Sequence, residues 1–291
     1  MRSLALVLAA LLFAISAKAQ KKPYPVFRVL DQQTVDAMVL GVPQPNQLRL
    51  AQVKRAFSDV ECTETNLREQ ATAEGTNLLC TLPGNSTDTI LVVAHYLHVG
   101  EGMSVVDDWS GAIMLPFLYR ALTATPRRHT FTFVALSGED GGKVFLSSLT
   151  HAQRHAIKAV VALDALGLGP TRFYIHQLGA LRSPAENFLA SQLIEAADNQ
   201  GLTPPESSIP EAWFRIDDTR AFRYQGMPAI LMHSVDGSKR NVPGSADDKS
   251  DAIDTNAYFA SYRTLCYYIV ALDQMTDLPP TSSPRSSRGR R

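Results

Sequence analysis

Residues 89–94 read Thr-Ile-Leu-Val-Val-Ala, an unbroken apolar run rich in β-branched side chains. A strand without polar alternation has no face to offer water, so it must lie in a sheet covered on both sides. A mostly parallel central sheet with helices on both faces supplies that cover, and an α/β fold of this kind is the class predicted here. The rest of the chain keeps to the plan. Further strands are predicted over 129–136, 160–163 and 227–232, and helices over 110–122, 183–199 and 254–272. Ser183-Pro184-Ala185-Glu186 reads as a capping box with proline in the first turn, and Asp254 as the N-cap of the last helix. Pro116 predicts a kink within 110–122. Earlier in the chain, Pro23, Pro25, Pro43 and Pro45 surround one short helical piece, 31–40, in a segment that reads as an arm wrapping the domain. Residues 47–57 look helical, and Glu74-Gly75 and Pro83-Gly84 mark turns. No repeat or internal linker interrupts 20–278, which is therefore expected to be one domain.

Both ends differ from this body. Arg2, the apolar run Leu4 to Ile15 and the small residues Ala17-Lys18-Ala19 have the order of a secretory signal peptide, with cleavage after Ala19. The apolar run is shorter than the roughly 20 residues a spanning helix needs, so a cleaved leader and a secreted or periplasmic protein are expected, with no membrane span. Residues 279–291 form a tail of prolines, serines and Arg285, Arg288, Arg290 and Arg291, too poor in apolar surface to order itself. Of 28 Lys and Arg, removing Arg2 and Lys18 leaves 26, and removing the four tail arginines leaves 22 against 28 Asp and Glu. A body with six more acids than bases does not suggest nucleic-acid binding. Three cysteines allow one disulfide and one thiol. Cys266 lies in a helical run whose apolar spacing implies burial, so Cys62 and Cys80 are the expected pair, brought together on adjacent antiparallel strands. Such a bridge contributes about 3 kcal/mol on chain-entropy grounds.

In open α/β sheets ligands bind beyond the carboxyl ends of the strands. Here those ends are ionisable one after another. His95 follows the first apolar run, Asp107-Asp108-Trp109-Ser110-Gly111 opens the next helix, Ser137-Gly138-Glu139-Asp140 follows the second strand, and Asp164 follows the third. Each alone has an ordinary explanation, since a carboxylate before a helix is a good N-cap. Several carboxylates at one sheet edge repel one another unless a divalent cation neutralises them, and imidazole with carboxylate is a ligand set that suits zinc.

The runs NLLCTLPG, ILVVAHYLHVG, VVDDWSGAIMLP, FTFVALSGED and VVALDALGLG, in this order, resemble the co-catalytic two-zinc exopeptidases. That family includes leucyl aminopeptidases, glutamate carboxypeptidase and glutaminyl cyclase. The resemblance continues through IDDTRAFRYQGMPAILMHS and SADDKSDAID, spanning roughly Asn77 to Leu272. It implies that His95 and Asp164 bind one zinc and that Asp107 bridges to a second, held also by Asp140. Glu139 would then be the general base that takes a proton from the metal-bound water and returns it to the leaving amine.

Three positions depart from the family pattern. The aspartate usual two residues after the first histidine is Leu97, the usual second glutamate is Asp140, and the last histidine ligand is Gly244. Loss of an outer ligand-orienting group costs about 10–100-fold in metal affinity or activity. His98 and His233 are the candidate replacement ligands. One tightly bound zinc, with a second weak or absent, is therefore expected. The first functional reading is an exported aminopeptidase-like metallo-exopeptidase acting on peptides. The alternative is a catalytically impaired relative that serves as a binding or structural protein. Serine hydrolase chemistry is disfavoured because no G-x-S-x-G elbow occurs, and the H-E-x-x-H zinc motif is absent as well.

Overall fold

The computed structural model describes residues 27–98, 100–178, 181–208 and 218–279. The leader 1–19 and the arginine tail lie outside the described residues. Two helices come first, α1 (Gln32–Leu40) and α2 (Asn46–Asp59), then the hairpin β1 (Leu67–Ala71) and β2 (Thr76–Leu82). The chain continues through β3 (Thr89–His95), a turn of π-helix (Val105–Trp109), α3 (Ser110–Leu122), β4 (Thr130–Leu136), α4 (Gly138–Ser148), α5 (His151–Ala156) and β5 (Ile157–Leu163). After these come β6 (Arg172–Tyr174), the two-residue strands β7 (Gln177–Leu178) and β8 (Leu181–Arg182), α6 (Pro184–Asn199) and β9 (Glu206–Ser207). The last elements are α7 (Asp218–Tyr224), β10 (Ala229–His233) and α8 (Thr255–Gln274).

One sheet of eight strands, in the order β1-β2-β4-β3-β5-β10-β6-β9, forms the middle layer. Its centre is parallel, with β3 between β4 and β5, and β10 beside β5. The flanks are mixed: β1/β2, β2/β4 and β10/β6 pair antiparallel and the short edge pair β6/β9 is parallel. The continuous parallel block is therefore β4-β3-β5-β10, where the site-bearing strands lie. The apolar run of β3 behaves as its composition requires. Ile90, Val92 and Ala94 pack into the larger core under α1, α2, α3, α6 and α8. Leu91 and Val93 point the other way, into a smaller core with Phe145 and Leu146 of α4 and Phe222 of α7. Pro116 is accommodated inside α3, and Asp254 caps α8 by accepting the Ala257 N–H at 3.0 Å.

Cys62 and Cys80 are joined, with Cα atoms 6.5 Å apart, and Cys266 is a buried thiol. The setting differs from the two-strand expectation. Cys80 is on β2, but Cys62 lies in the turn after α2, so the bridge ties the N-terminal helices to the sheet. The turn of the hairpin falls where Glu74-Gly75 predicts one, but β1 and α7 had no clear sequence signal: β1 reads Leu-Arg-Glu-Gln-Ala, an edge strand with polar residues on both faces.

Candidate metal centre

Three strand ends and one helix start converge at the carboxyl edge of the parallel centre. His95 is the last residue of β3, 8% exposed and between the ends of β4 and β5. Asp164 directly follows β5 and donates its N–H to the Met232 carbonyl at 3.0 Å, which fixes its start against β10. Helix α3 approaches closely because its second residue is glycine. A Cβ at Gly111 would lie 2.5 Å from the Leu163 carbonyl oxygen. The hydroxyl of Ser110 locks the junction, donating to the Val106 carbonyl at 2.6 Å and accepting from the Leu166 N–H at 3.0 Å.

The segment leading into α3 is irregular, with Asp107 non-helical (φ −118°, ψ 99°) and a cis peptide between Asp107 and Asp108. Asp248 holds it in place. This fully buried carboxylate accepts the N–H groups of Val106 at 2.7 Å, Asp107 at 3.1 Å and Gly244 at 3.0 Å. Burial raises the pKa of Asp248, and the three N–H donors act against that rise. Asp248 therefore fixes the backbone that carries Asp107, and it ties that backbone to the Gly244 turn.

The result is a cluster in which Asp107, Asp108 and Asp164 each bring one carboxylate oxygen within 4.8 Å of the others. It is the one such group of three found among the described residues, and Asp108 is a member the sequence reading gave no role. Each pair of charges at this range repels by about 3 kcal/mol at an effective dielectric of 20. Oxygens bound to a single zinc at about 2.0–2.2 Å lie at most about 4.4 Å apart, close to the spacing present. His95 ends β3 at the same edge but is not one of the three residues whose ligand atoms lie within 4.8 Å of one another. The three carboxylates suit one divalent cation, and an imidazole added to them would bring zinc into range.

The carboxylates after β4 point elsewhere. Asp140 accepts the Ala73 N–H at 2.9 Å with its carboxylate, and Glu74, on the β1–β2 turn, accepts the Asp140 N–H at 3.4 Å. Glu139 is exposed in the first turn of α4 and pairs with Lys143 at 3.6 Å. Leu97 is buried in the larger core, so an apolar contact occupies the place of the usual orienting aspartate. Gly244 has φ +69°, and a Cβ built there would be 3.7 Å from Asp107 Oδ2. The position thus borders the cluster but brings no ligand to it.

Neither replacement histidine turns into the cluster. The Nε2 of His98 donates to the Gly102 carbonyl at 2.8 Å within its own loop. His233 is buried, and its Nδ1 accepts the Val235 N–H at 3.1 Å, so the ring proton is on Nε2, donated to Ser208 Oγ at 2.6 Å. Both nitrogens are committed. The same proton placement means that His233 anchors Ser208 and does not activate it as a nucleophile. Burial, with Arg172 nearby, pulls the His233 pKa down to about 3.

The molecule is thus an open α/β sheet with Asp107, Asp108 and Asp164 clustered at its carboxyl edge. More narrowly, the chain belongs to peptidase family M28, whose family model matches residues 77–269. Among solved structures it is similar to a glutaminyl cyclase from an Acidobacteriales bacterium, with a TM-score of 0.67 at 18% identity, covering 87% of this chain and 99% of that one. Glutaminyl cyclase from Porphyromonas gingivalis gives a TM-score of 0.66 at 16% identity, covering 84% and 98%. A zinc aminopeptidase from Bacillus subtilis gives 0.58 at 16% identity, covering 70% of this chain and 53% of that one. The chain thus spans about half the length of that aminopeptidase. No curated protein matches the sequence.

Proposed function

We propose that this chain is an exported, zinc-dependent exopeptidase of the aminopeptidase type, hydrolysing the N-terminal bond of peptides. The convergence of Asp107, Asp108 and Asp164 at the sheet edge where β3 ends in His95, in a chain of family M28, carries the reading. Zinc in such a site supplies Lewis acidity and an acidified water. His95, Asp107 and Asp164 are the residues that would hold it, with Asp108 at hand as a further carboxylate. Glu139 is assigned as the base on the family resemblance: once its exposed carboxylate leaves Lys143, it would take the proton of the attacking water and deliver it to the departing amine nitrogen, so the proton balance closes on one side chain. Its exposure at the start of α4 suits a group that must meet substrate.

One tightly held zinc is the stoichiometry proposed. A second ion would rest on Asp107 and Asp140, with Asp140 already engaged by Ala73 and with no ligand from Gly244. Export rests on the leader, and the buried Cys62–Cys80 bridge supports an oxidising destination. No helix among the described residues is long and apolar enough to cross a membrane. Near-complete coverage of the glutaminyl cyclases favours a second reading on the same site, cyclisation of an N-terminal glutamine.

The test measures the zinc content of exported material together with hydrolysis of aminoacyl anilides and cyclisation of glutaminyl peptides. The exposed His151 and His155, whose Nε2 atoms lie 3.1 Å apart, are replaced by glutamine so that a surface chelate does not enter the count. Anilide hydrolysis with one zinc per chain is expected. Cyclisation alone selects the second reading, and neither activity selects a binding or structural role.

A further inference from the structure

We propose that Arg49 is a positioning residue of the metal centre, through which the N-terminal helices form part of the site although the family match begins at residue 77. The inference rests on the metal reading above and goes beyond it in placing a buried cation behind the ligands. In sequence Arg49 is one base among the polar residues of α2, with the look of a solvated helix position. In the fold it is fully buried, under the loop that joins His95 to Asp107.

The guanidinium spends its donors on that loop. Nη1 donates to the Ser104 carbonyl at 3.1 Å and to the Tyr96 carbonyl at 3.4 Å, and Nη2 donates to the Met103 carbonyl. Nε donates to the Pro43 carbonyl at 2.8 Å, which anchors the arginine to its own arm. Tyr96 is the residue after His95, and Ser104 begins the turn that presents Asp107 and Asp108. One rigid fork therefore sets the spacing between the two ligand-bearing segments. The arm adds two further ties. Asn46 Oδ1 accepts the His98 N–H at 2.6 Å, and the Met38 carbonyl accepts the Trp109 indole N–H at 3.2 Å.

Charge supports the geometry. Burial lowers the arginine pKa to about 10, and the charges of Asp108 and Asp248 work against that fall. The cation faces those two carboxylates from behind the loop and lies 5.8 Å from the Trp109 ring centroid. It offsets part of the repulsion in the acidic cluster without occupying a ligand position.

The discriminating measurement is the zinc dissociation constant of folded protein, by competition with a chromophoric chelator well below the unfolding temperature. Amide exchange over 96–109 is followed in parallel. A purely structural arginine would move the unfolding temperature and leave that constant unchanged. Arg49→Lys keeps the charge but not the fork, and is expected to weaken zinc about 10–100-fold, with faster exchange over 96–109 and none over 130–136. Asn46→Ala changes an exposed residue, so it folds even if Arg49→Lys does not, and is expected to give the same pattern at about a few-fold. Wild-type zinc affinity in either folded variant overturns the proposal. If the unaltered protein holds no zinc, the metal reading fails by itself, and unchanged exchange over 96–109 in the variants is then the result that overturns the positioning role.

Discussion

Asp107, Asp108 and Asp164 bring their carboxylates within 4.8 Å of one another, whereas Glu139 and Asp140, at the end of the adjacent strand, direct theirs to Lys143 and to the Ala73 amide. Both groups follow the same sequence logic, acids placed just past an apolar strand. The difference lies in what stands behind them. The first group is backed by two buried charges, Asp248 bonding the backbone of Val106 and Asp107, and Arg49 bonding the loop carbonyls. The second is backed by a hairpin turn, whose Ala73 N–H donates to the Asp140 carboxylate while its Glu74 carboxylate accepts the Asp140 N–H. Acids pressed together need support and a counter-charge, while acids beside open backbone donors satisfy themselves locally.

The largest effect expected separates chemistry from metal holding. Glu139→Gln should lower turnover by about 100–10,000-fold, the range for loss of a general acid–base, with zinc content unchanged. Metal lost in step with activity would make Glu139 a ligand and erase the distinction between the two groups. Next comes the metal itself. Asp164→Asn should weaken zinc by more than about 100-fold, beyond the usual cost of an outer-shell loss, while Asp140→Ala should change it only a few-fold. Equal weakening by the two would show that the β4 end holds the same ion.

Gly244→His sharpens the comparison by adding what the second group lacks. Its Cβ would start 3.7 Å from Asp107 Oδ2, so zinc per chain should rise from one toward two in elemental analysis. The φ of +69° sets a stability cost of about 1 kcal/mol for a side chain there. Two firmly held zinc ions in the unaltered protein would remove the reason for the substitution.

The smallest effect concerns a strand end that only looks like a ligand. His233→Gln should leave zinc affinity as it is. It should, however, flatten the pH dependence of unfolding. Burial holds the folded pKa near 3, so below about pH 6.5 the unfolded chain takes up a proton that the native state refuses. Stability owed to this residue is therefore fully present above pH 6.5 and is lost as the pH falls toward 3. Urea titrations at several pH values would show the slope and its absence in the variant. Zinc loss in the variant would instead bring His233 into the centre.

Much of the architecture was legible in local sequence because the forces involved are local or periodic. The apolar run of β3 could only be a covered central strand, and Asp254 and the Ser110-Gly111 junction announced helix starts. The cysteine pairing followed from Cys266 being on the apolar side of a helix, although the turn location of Cys62 did not. Chain order likewise placed His95, Asp107 and Asp164 at one edge, because parallel strands bring all their carboxyl ends to the same side. The family pattern in VVDDWSG and SGED narrowed the chemistry further, and the match over 77–269 agrees with it.

What only tertiary structure decided was direction. Asp107-Asp108 reads as a pair, and nothing in its spacing says that both join Asp164 while Asp140 turns to a hairpin amide. No local pattern marks Arg49 or Asp248 as buried, yet both are, with Arg49 bonding the carbonyls of Tyr96 and Ser104 and Asp248 the N–H groups of Val106 and Asp107. His233 ends a central strand as His95 does, but hydrogen bonds at both nitrogens withdraw it from metal chemistry. The physical reason is common to all of these. Strand and helix positions follow from backbone hydrogen bonds and apolar periodicity, which neighbours in sequence supply. The aim of a polar side chain is set by whichever donor, acceptor or charge the folded chain brings to it, and here those partners come from segments dozens of residues away.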